Sequence, residues 1–145
     1  MRQPKPTELT IRNYSESDER AVVELWSRCQ LVTPQNDPRR DIALKMDFQP
    51  ELFWVGTVRE KIVATIMLGY EGHRGWINYL AVSPDHQKTG FGRYMMEMAE
   101  ERLKTLGCPK INVQVRTTNL GVIEFYRRIG FGEDKVIGLG KRFTL

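Results

Sequence analysis

Few residues in this 145-residue chain suggest redox, metal or membrane chemistry. It has two cysteines, Cys29 and Cys108, and two histidines. The cysteines form no Cys-x-x-Cys pair, so neither a zinc ribbon nor a thioredoxin-type motif is available. Two isolated cysteines are expected to be ordinary thiols in a reducing compartment. The most apolar run, Ile62 to Leu68, is far too short to cross a bilayer. Met1 to Pro6 has no apolar core of a secretory signal, so the expected location is cytoplasmic, with no membrane partner. Internal repeats, linkers and low-complexity segments are missing, and the length suits one domain over residues 1–145.

Charge is not strongly one-sided. The net charge of +4 and pI near 9.2 describe a slightly basic protein, with charged residues at 28% and hydrophobic residues at 41%. The lysines and arginines are scattered and no nucleic-acid-binding motif is present, so no nucleic-acid partner is expected. A basic balance of this size is also consistent with cations gathered around an anionic small molecule.

Periodicity predicts a strand over Glu8 to Tyr14. A capping-box start at Ser15-Glu16-Ser17-Asp18 leads into a helix whose stripe is Ala21, Val22, Leu25, Trp26 and Cys29. A short second helix is expected over Arg39 to Met46. Leu52 to Arg59 and Ile62 to Tyr70 form a hairpin, and Trp76 to Val82 is a further strand. A helix then runs from Phe91 to Leu106, with Phe91, Met95, Met98, Ala99, Leu103 and Leu106 on one side, and Gly107 stops it. Lys110 to Val115 alternates like a strand. Asn119 is placed to cap a last helix with Val122, Phe125, Tyr126 and Ile129 inward, and Val136 to Leu145 is expected to add one or two closing strands. The order is β-α-α-β-β-β-α-β-α-β, a mixed α/β (α+β) fold. The strands on either side of the long helix need a crossover, so they should be parallel.

Gln87-Lys88-Thr89-Gly90-Phe91-Gly92 lies where a strand gives way to a helix. A helix start presents unpaired N–H groups at the positive end of its dipole, which suits a phosphate. A Walker loop is excluded, because it needs a glycine, four further residues and then Gly-Lys-Ser/Thr, and the chain has no such run. A dinucleotide fingerprint is excluded as well, since Met95 occupies the place of its third glycine. The remaining possibility is a short cradle for a pyrophosphate.

The string Leu80-Ala81-Val82-x-Pro84-x-x-Gln87-x-x-Gly90-x-Gly92 resembles the central motif of the GNAT N-acetyltransferase superfamily. Asn119, followed by Val122-Ile123-Glu124-Phe125-Tyr126 and by Gly130-Phe131, resembles a second block of the same family. The resemblance covers nearly the whole chain, and around Val113-Gln114-Val115-Arg116 it extends to ribosomal-protein N-terminal acetyltransferases. It implies acetyl-CoA as co-substrate, bound where two parallel strands, Trp76–Val82 and Lys110–Val115, splay apart. Leu80, Ala81 and Val82 would pair with the pantetheine arm through their backbone. N–H groups from Gln87, Lys88, Thr89, Gly90, Phe91, Gly92 and Arg93 would hold the pyrophosphate. Asn119 would bond near the thiol end, and Tyr126 would be the catalytic acid beside the sulfur. No metal is implied.

The implied reaction is direct attack of a neutral amine on the thioester within a ternary complex. A backbone N–H near Leu80 to Val82 would support the oxyanion. Full proton transfer from a tyrosine of ordinary pKa to a thiolate is uphill by ~2 kcal/mol, so Tyr126 would act mainly as a hydrogen-bond donor. Gln114 stands where the similar ribosomal-protein enzymes carry a glutamate base, and glutamine cannot take a proton. Glu71 and His73 are the remaining candidates for a base. The acceptor, whether small molecule, peptide or protein N terminus, would be chosen by residues 30–49, where Asp37, Asp41 and Asp47 lie, and by the segment after Phe131. The competing reading is a catalytically weak acyl-CoA sensor or interaction module. Monomer and homodimer are both open.

Overall fold

The computed structural model describes residues 8–145, so Met1 to Pro6 lie outside the described residues. By packing, the chain separates into two compact units, Met1–Val113 and Gln114–Leu145.

The first unit is built on a five-stranded sheet in the order β1-β2-β3-β4-β5. Its strands are β1 (Thr10–Asn13), β2 (Phe53–Val58), β3 (Lys61–Tyr70), β4 (Gly75–Val82) and β5 (Ile111–Asn112). Its helices are α1 (Glu19–Arg28), α2 (Pro38–Asp47) and α3 (Phe91–Thr105). The first four strands pair antiparallel, and β5 pairs parallel to β4 across the α3 crossover.

Local chemistry explains the helix starts. The Asp18 carboxylate accepts the Ser15 N–H at 2.9 Å, the capping box read from sequence. The box opens a 3-10 turn, Glu16–Asp18, and α1 proper follows it. Asp18 is buried and held by a two-pronged contact from Arg12 at 2.7 and 2.9 Å. For α2, Asp37 accepts from Arg39 N and Arg40 N, with Pro38 at the first helical position.

One face of the sheet carries α1. Val22, Leu25 and Trp26 pack there with Tyr14, Phe53, Val55, Met67 and Ala81, and the Tyr14 and Phe53 rings stack at 4.4 Å. The other face carries α3. A Cβ built on Gly56 would meet Met95 Sδ at 3.4 Å, and one on Gly75 would meet Leu103 Cδ1 at 3.1 Å. Burial on α3 is wider than the predicted stripe. Tyr94 and Met96 are buried as well, while Leu106 is 40% exposed.

Two expected strands differ. The alternation of Lys110 to Val115 yields only the two paired residues Ile111–Asn112, because β4 offers a partner only at Gly75 and Trp76. Residues 136–145 carry no strand: Val136, Ile137, Leu139, Phe143 and Leu145 are all at least 74% exposed. An apolar pattern becomes a strand only with a neighbouring ladder, and Gly138 and Gly140 further weaken this one. The observed order therefore stops at α4, without the closing strands.

The second unit contains α4 (Leu120–Arg128). Asn119 caps it as expected, its side chain accepting the Val122 N–H at 3.4 Å. Of the four residues expected inward, Tyr126 is buried and Val122 is 38% exposed. Tyr126 sits edge-on to Phe125 at 5.1 Å and to Phe131 at 5.2 Å.

Candidate active site

The pairing between β4 and β5 covers only Gly75↔Ile111 and Trp76↔Asn112. From Ile77 to Val82, β4 therefore has no strand partner on that side among the described residues. An extended chain could add itself there by backbone hydrogen bonds. Ala81 is buried and belongs to the α1-face core, so only its backbone is available to such a guest.

This stretch of β4 contains an irregularity. Thr65 pairs with Ala81 and Met67 with Asn78, so Tyr79 and Leu80 together oppose Ile66 alone. This is a β-bulge, which leaves part of the ladder unpaired and turns the backbone. Tyr79 takes φ +50, a left-handed conformation that a tyrosine rarely adopts. Its carbonyl accepts from Thr65 Oγ1 at 2.8 Å, and its ring stacks on Trp26 with centroids 3.7 Å apart. Its hydroxyl donates to Asp41 Oδ2 at 2.5 Å and accepts from Asn36 Nδ2 at 2.6 Å. Burial first, then the Asp41 hydrogen bond, pushes this phenol's pKa well above its ordinary value.

Beyond β4 the chain turns into α3. The Ser83 hydroxyl oxygen accepts from Asp85 N at 3.3 Å and opens a 3-10 turn, Pro84–His86. Gln87 Nε2 folds back to donate to Val82 O at 3.0 Å, and the Thr89 hydroxyl donates to His86 O. These two side chains brace the turn, which leaves their backbone N–H groups as the part able to face a ligand. The Phe91 side chain is buried against the His86 ring at 5.6 Å.

Lys88 and Gly90 both have positive φ, +62 and +88. A Cβ on Gly90 would touch no protein atom within 4 Å, so within the protein this glycine is needed for its backbone conformation, and the space beside it is open. The first helical bond of α3 runs from Tyr94 N to Gly90 O at 3.0 Å. The N–H groups of Phe91, Gly92 and Arg93 precede it and have no partner within the helix. No acidic residue lies in that first turn, and Lys88 and Arg93 add positive charge nearby. This donor set fits a pyrophosphate.

A family model described as the acetyltransferase (GNAT) family matches residues 19–131. The chain belongs to the GNAT acetyltransferase family. An acetyltransferase of Yersinia enterocolitica is 42% identical over 137 residues, covering 94% of this chain and 97% of the relative. Among solved structures, the ribosomal-protein-S18-alanine N-acetyltransferase of Escherichia coli matches with a TM-score of 0.74 and 22% identity, over 88% of this chain and 79% of its own. The NatC complex bound to Gag peptide and CoA contains a chain matching at TM-score 0.76 and 18% identity, over 89% of this chain and 87% of that one. At these identities the structural matches carry the GNAT fold alone.

Of the residues that the family resemblance singles out, Leu80 to Arg93 form one continuous run in the first unit. Asn119 and Tyr126 lie in the second, on one face of α4 and roughly 10 Å apart along its axis. Burial alone pushes the Tyr126 phenol up to about 12.

The candidate bases fare differently. Gln114 is exposed and lies beyond the end of β5. The Glu71 carboxylate accepts from Arg74 N at 2.5 Å and His73 N at 2.6 Å, and these bonds lower its pKa. Glu71 therefore shapes the β3–β4 turn. That turn is at the Gly75 end of β4, roughly 17 Å along the strand from Leu80, which puts Glu71 and His73 out of reach of the bulge. Sequence reasoning missed Tyr79, Asn36 and Thr65, and placed Asp41 among the acids of the acceptor-side segment without its bond to Tyr79. A tyrosine in an apolar run reads as an ordinary strand residue, and no sequence signal marks the extra residue of the bulge.

Proposed function

We propose that this GNAT protein moves the acetyl group of acetyl-CoA to a primary amine by direct attack in a ternary complex, and that residues 1–145 act as one acetyltransferase domain. The observation that carries this reading is the continuity of the unpaired β4 edge, Ile77 to Val82, with the N–H cradle at the start of α3. The first suits a pantetheine arm and the second a pyrophosphate.

In this reading the N–H groups of residues 87–93 anchor the phosphates, with Lys88 and Arg93 screening their charge. Backbone groups of Leu80, Ala81 and Val82 hold the pantetheine, and a β4 N–H at the bulge supports the oxyanion. Asn119 bonds near the thiol end through its amide nitrogen, its oxygen being used to cap α4. Tyr126 stabilises the departing thiolate. With its phenol at about 12 against roughly 8.5 for a thiol, full proton transfer is uphill by about 5 kcal/mol, so Tyr126 works as a hydrogen-bond donor.

Glu71 and His73 are out of reach of the bulge, Gln114 cannot take a proton, and the Asp41 carboxylate beside the bulge is engaged by the Tyr79 hydroxyl. This favours amines already partly neutral. Roughly one α-amino group in ten is deprotonated at pH 7, against one lysine in a few thousand. We therefore assign the acceptor to amines of low pKa, with α-amino groups of peptides or protein N termini first.

The deciding experiment is a screen of small amines, peptides and protein N termini for release of free CoA, with Tyr126→Phe as control. Release with α-amines supports the proposal. Tight acetyl-CoA binding without release from any amine would replace it by the acyl-CoA sensor reading.

A further inference from the structure

We propose that Thr65 is a positioning residue for acyl transfer, its hydroxyl fixing the peptide between Tyr79 and Leu80 so that the Leu80 N–H is aimed away from β3. The inference rests on the acetyl-transfer reading above and adds a residue to it.

Thr65 lies on β3 and is fully buried. Its hydroxyl is used twice: it accepts from Trp26 Nε1 at 2.9 Å and donates to the Tyr79 carbonyl at 2.8 Å. Valine would fill nearly the same space and suits a strand as well. What threonine adds is therefore the hydroxyl. The accepted bond from Trp26 leaves the hydroxyl proton to point at the Tyr79 carbonyl, so α1 sets the direction of the bond into β4.

The bonded carbonyl belongs to the bulge. A peptide unit is planar, and no cis bond occurs among the described residues. In a trans peptide the C=O and the following N–H point in opposite directions. Drawing the Tyr79 carbonyl toward Thr65 thus turns the Leu80 N–H away from it. On that side β4 has lost β5 as a partner.

Tyr79 carries the strain of this arrangement. Its left-handed φ costs on the order of 1 kcal/mol, and such strain persists only where the surroundings over-determine it. Here the ring is held by Trp26, the hydroxyl by Asp41 and Asn36, and the carbonyl by Thr65. Only the Thr65 contact acts directly on the peptide whose N–H faces outward.

The test is a graded series at Thr65. Steady-state rates are measured with acetyl-CoA and a short peptide bearing a free α-amino group that releases CoA in the screen. Thr65→Val should lower kcat tenfold or more, with the KM for acetyl-CoA changed less than about twofold. Thr65→Ser keeps the donor and should restore kcat to within about threefold of the original. Where the valine variant fails to fold, Thr65→Cys replaces the hydroxyl with a weak S–H donor and should lower kcat in the same direction. A full kcat in the valine or cysteine variant overturns the proposal, and so does a loss that serine fails to rescue.

A second readout needs no turnover. In protein labelled with carbon-13 at tyrosine carbonyls, the Tyr79 resonance should shift in Thr65→Val or Thr65→Cys and stay in place in Thr65→Ser. An unmoved resonance removes the anchor. Absence of CoA release from the unmodified protein would instead sink the acetyl-transfer reading and leave the resonance test standing.

Discussion

The Tyr79 hydroxyl donates to Asp41 Oδ2 at 2.5 Å and thereby ties the bulge of β4 to α2, 38 positions earlier in the chain. The same hydroxyl receives Asn36 Nδ2 from the loop between α1 and α2. One phenol oxygen thus joins three segments. Tyr79→Phe keeps the stack on Trp26 and removes both bonds. Denaturant unfolding should show a loss of about 1–2 kcal/mol, and Asp41→Asn should lose less, since an amide oxygen still accepts. Equal stability of Tyr79→Phe and the original protein would show that the tie is immaterial.

Tyr126→Phe tests the proposed thiolate partner. We expect kcat to fall about 100-fold while acetyl-CoA affinity, measured by calorimetry, stays within about twofold. With the phenol held at about 12, Tyr126 remains protonated across pH 6 to 10, and no alkaline loss of activity in that range should come from it. A limb below pH 10 that vanishes in Tyr126→Phe would contradict this.

Gly90→Ala probes the cradle. The added methyl meets no protein atom, but alanine at φ +88 is strained by about 1–2 kcal/mol. The strain can relax only by turning the loop, so acetyl-CoA binding should weaken about tenfold with little change in melting temperature. Unchanged affinity would remove residues 87–93 from phosphate binding.

Asp18 provides a pH test of stability. The Arg12 hydrogen bonds, followed by smaller contributions from Ser15 and from charge, hold its carboxyl below the usual value against the opposing effect of burial. A depressed folded-state pKa means the unfolded chain binds the proton first. The stabilisation is therefore complete above the unfolded value of about 3.9 and is lost as pH falls through the folded one. Asp18→Asn should be less stable than the original at pH 7 by about 1–3 kcal/mol, with the gap closing in acid. A gap independent of pH would point to packing rather than charge.

Gly75→Val should destabilise the sheet where β4 meets β5. A Cβ there lies 2.8 Å from Cys108 Sγ and 3.1 Å from Leu103 Cδ1. Both are side-chain atoms able to give way in part, so the expected cost is about 1–3 kcal/mol by thermal or denaturant unfolding.

Much of the architecture was legible because its signals are local. Ser15 with Asp18 and Asn119 before α4 each satisfy backbone groups within four residues, and both are found where the sequence puts them, as is the glycine-bearing turn that opens α3. Strand content was less legible at Val113 to Val115 and at Val136 to Leu145. Alternation there describes a surface, whereas a strand also needs a neighbour offering a ladder. The cradle could be read from its glycines. The bulge could not, since it depends on Thr65, Trp26, Asn36 and Asp41, which meet Tyr79 only after folding.

The extra residue in β4 resets the phase of the strand. Gly75 looks toward α3, yet Ala81, also odd-numbered and six positions on, packs on the side of α1. Odd-numbered positions of β4 therefore face α3 before the bulge and α1 after it, and Tyr79-Leu80 is where the count changes. Removing one residue there would restore regular pleating and leave Ala81 facing α1, because the pairs on either side of the bulge, Met67↔Asn78 and Thr65↔Ala81, are already in register. The bulge is thus a removable insert in an otherwise continuous ladder, and what its loss would take away is the outward turn of the backbone at Tyr79-Leu80.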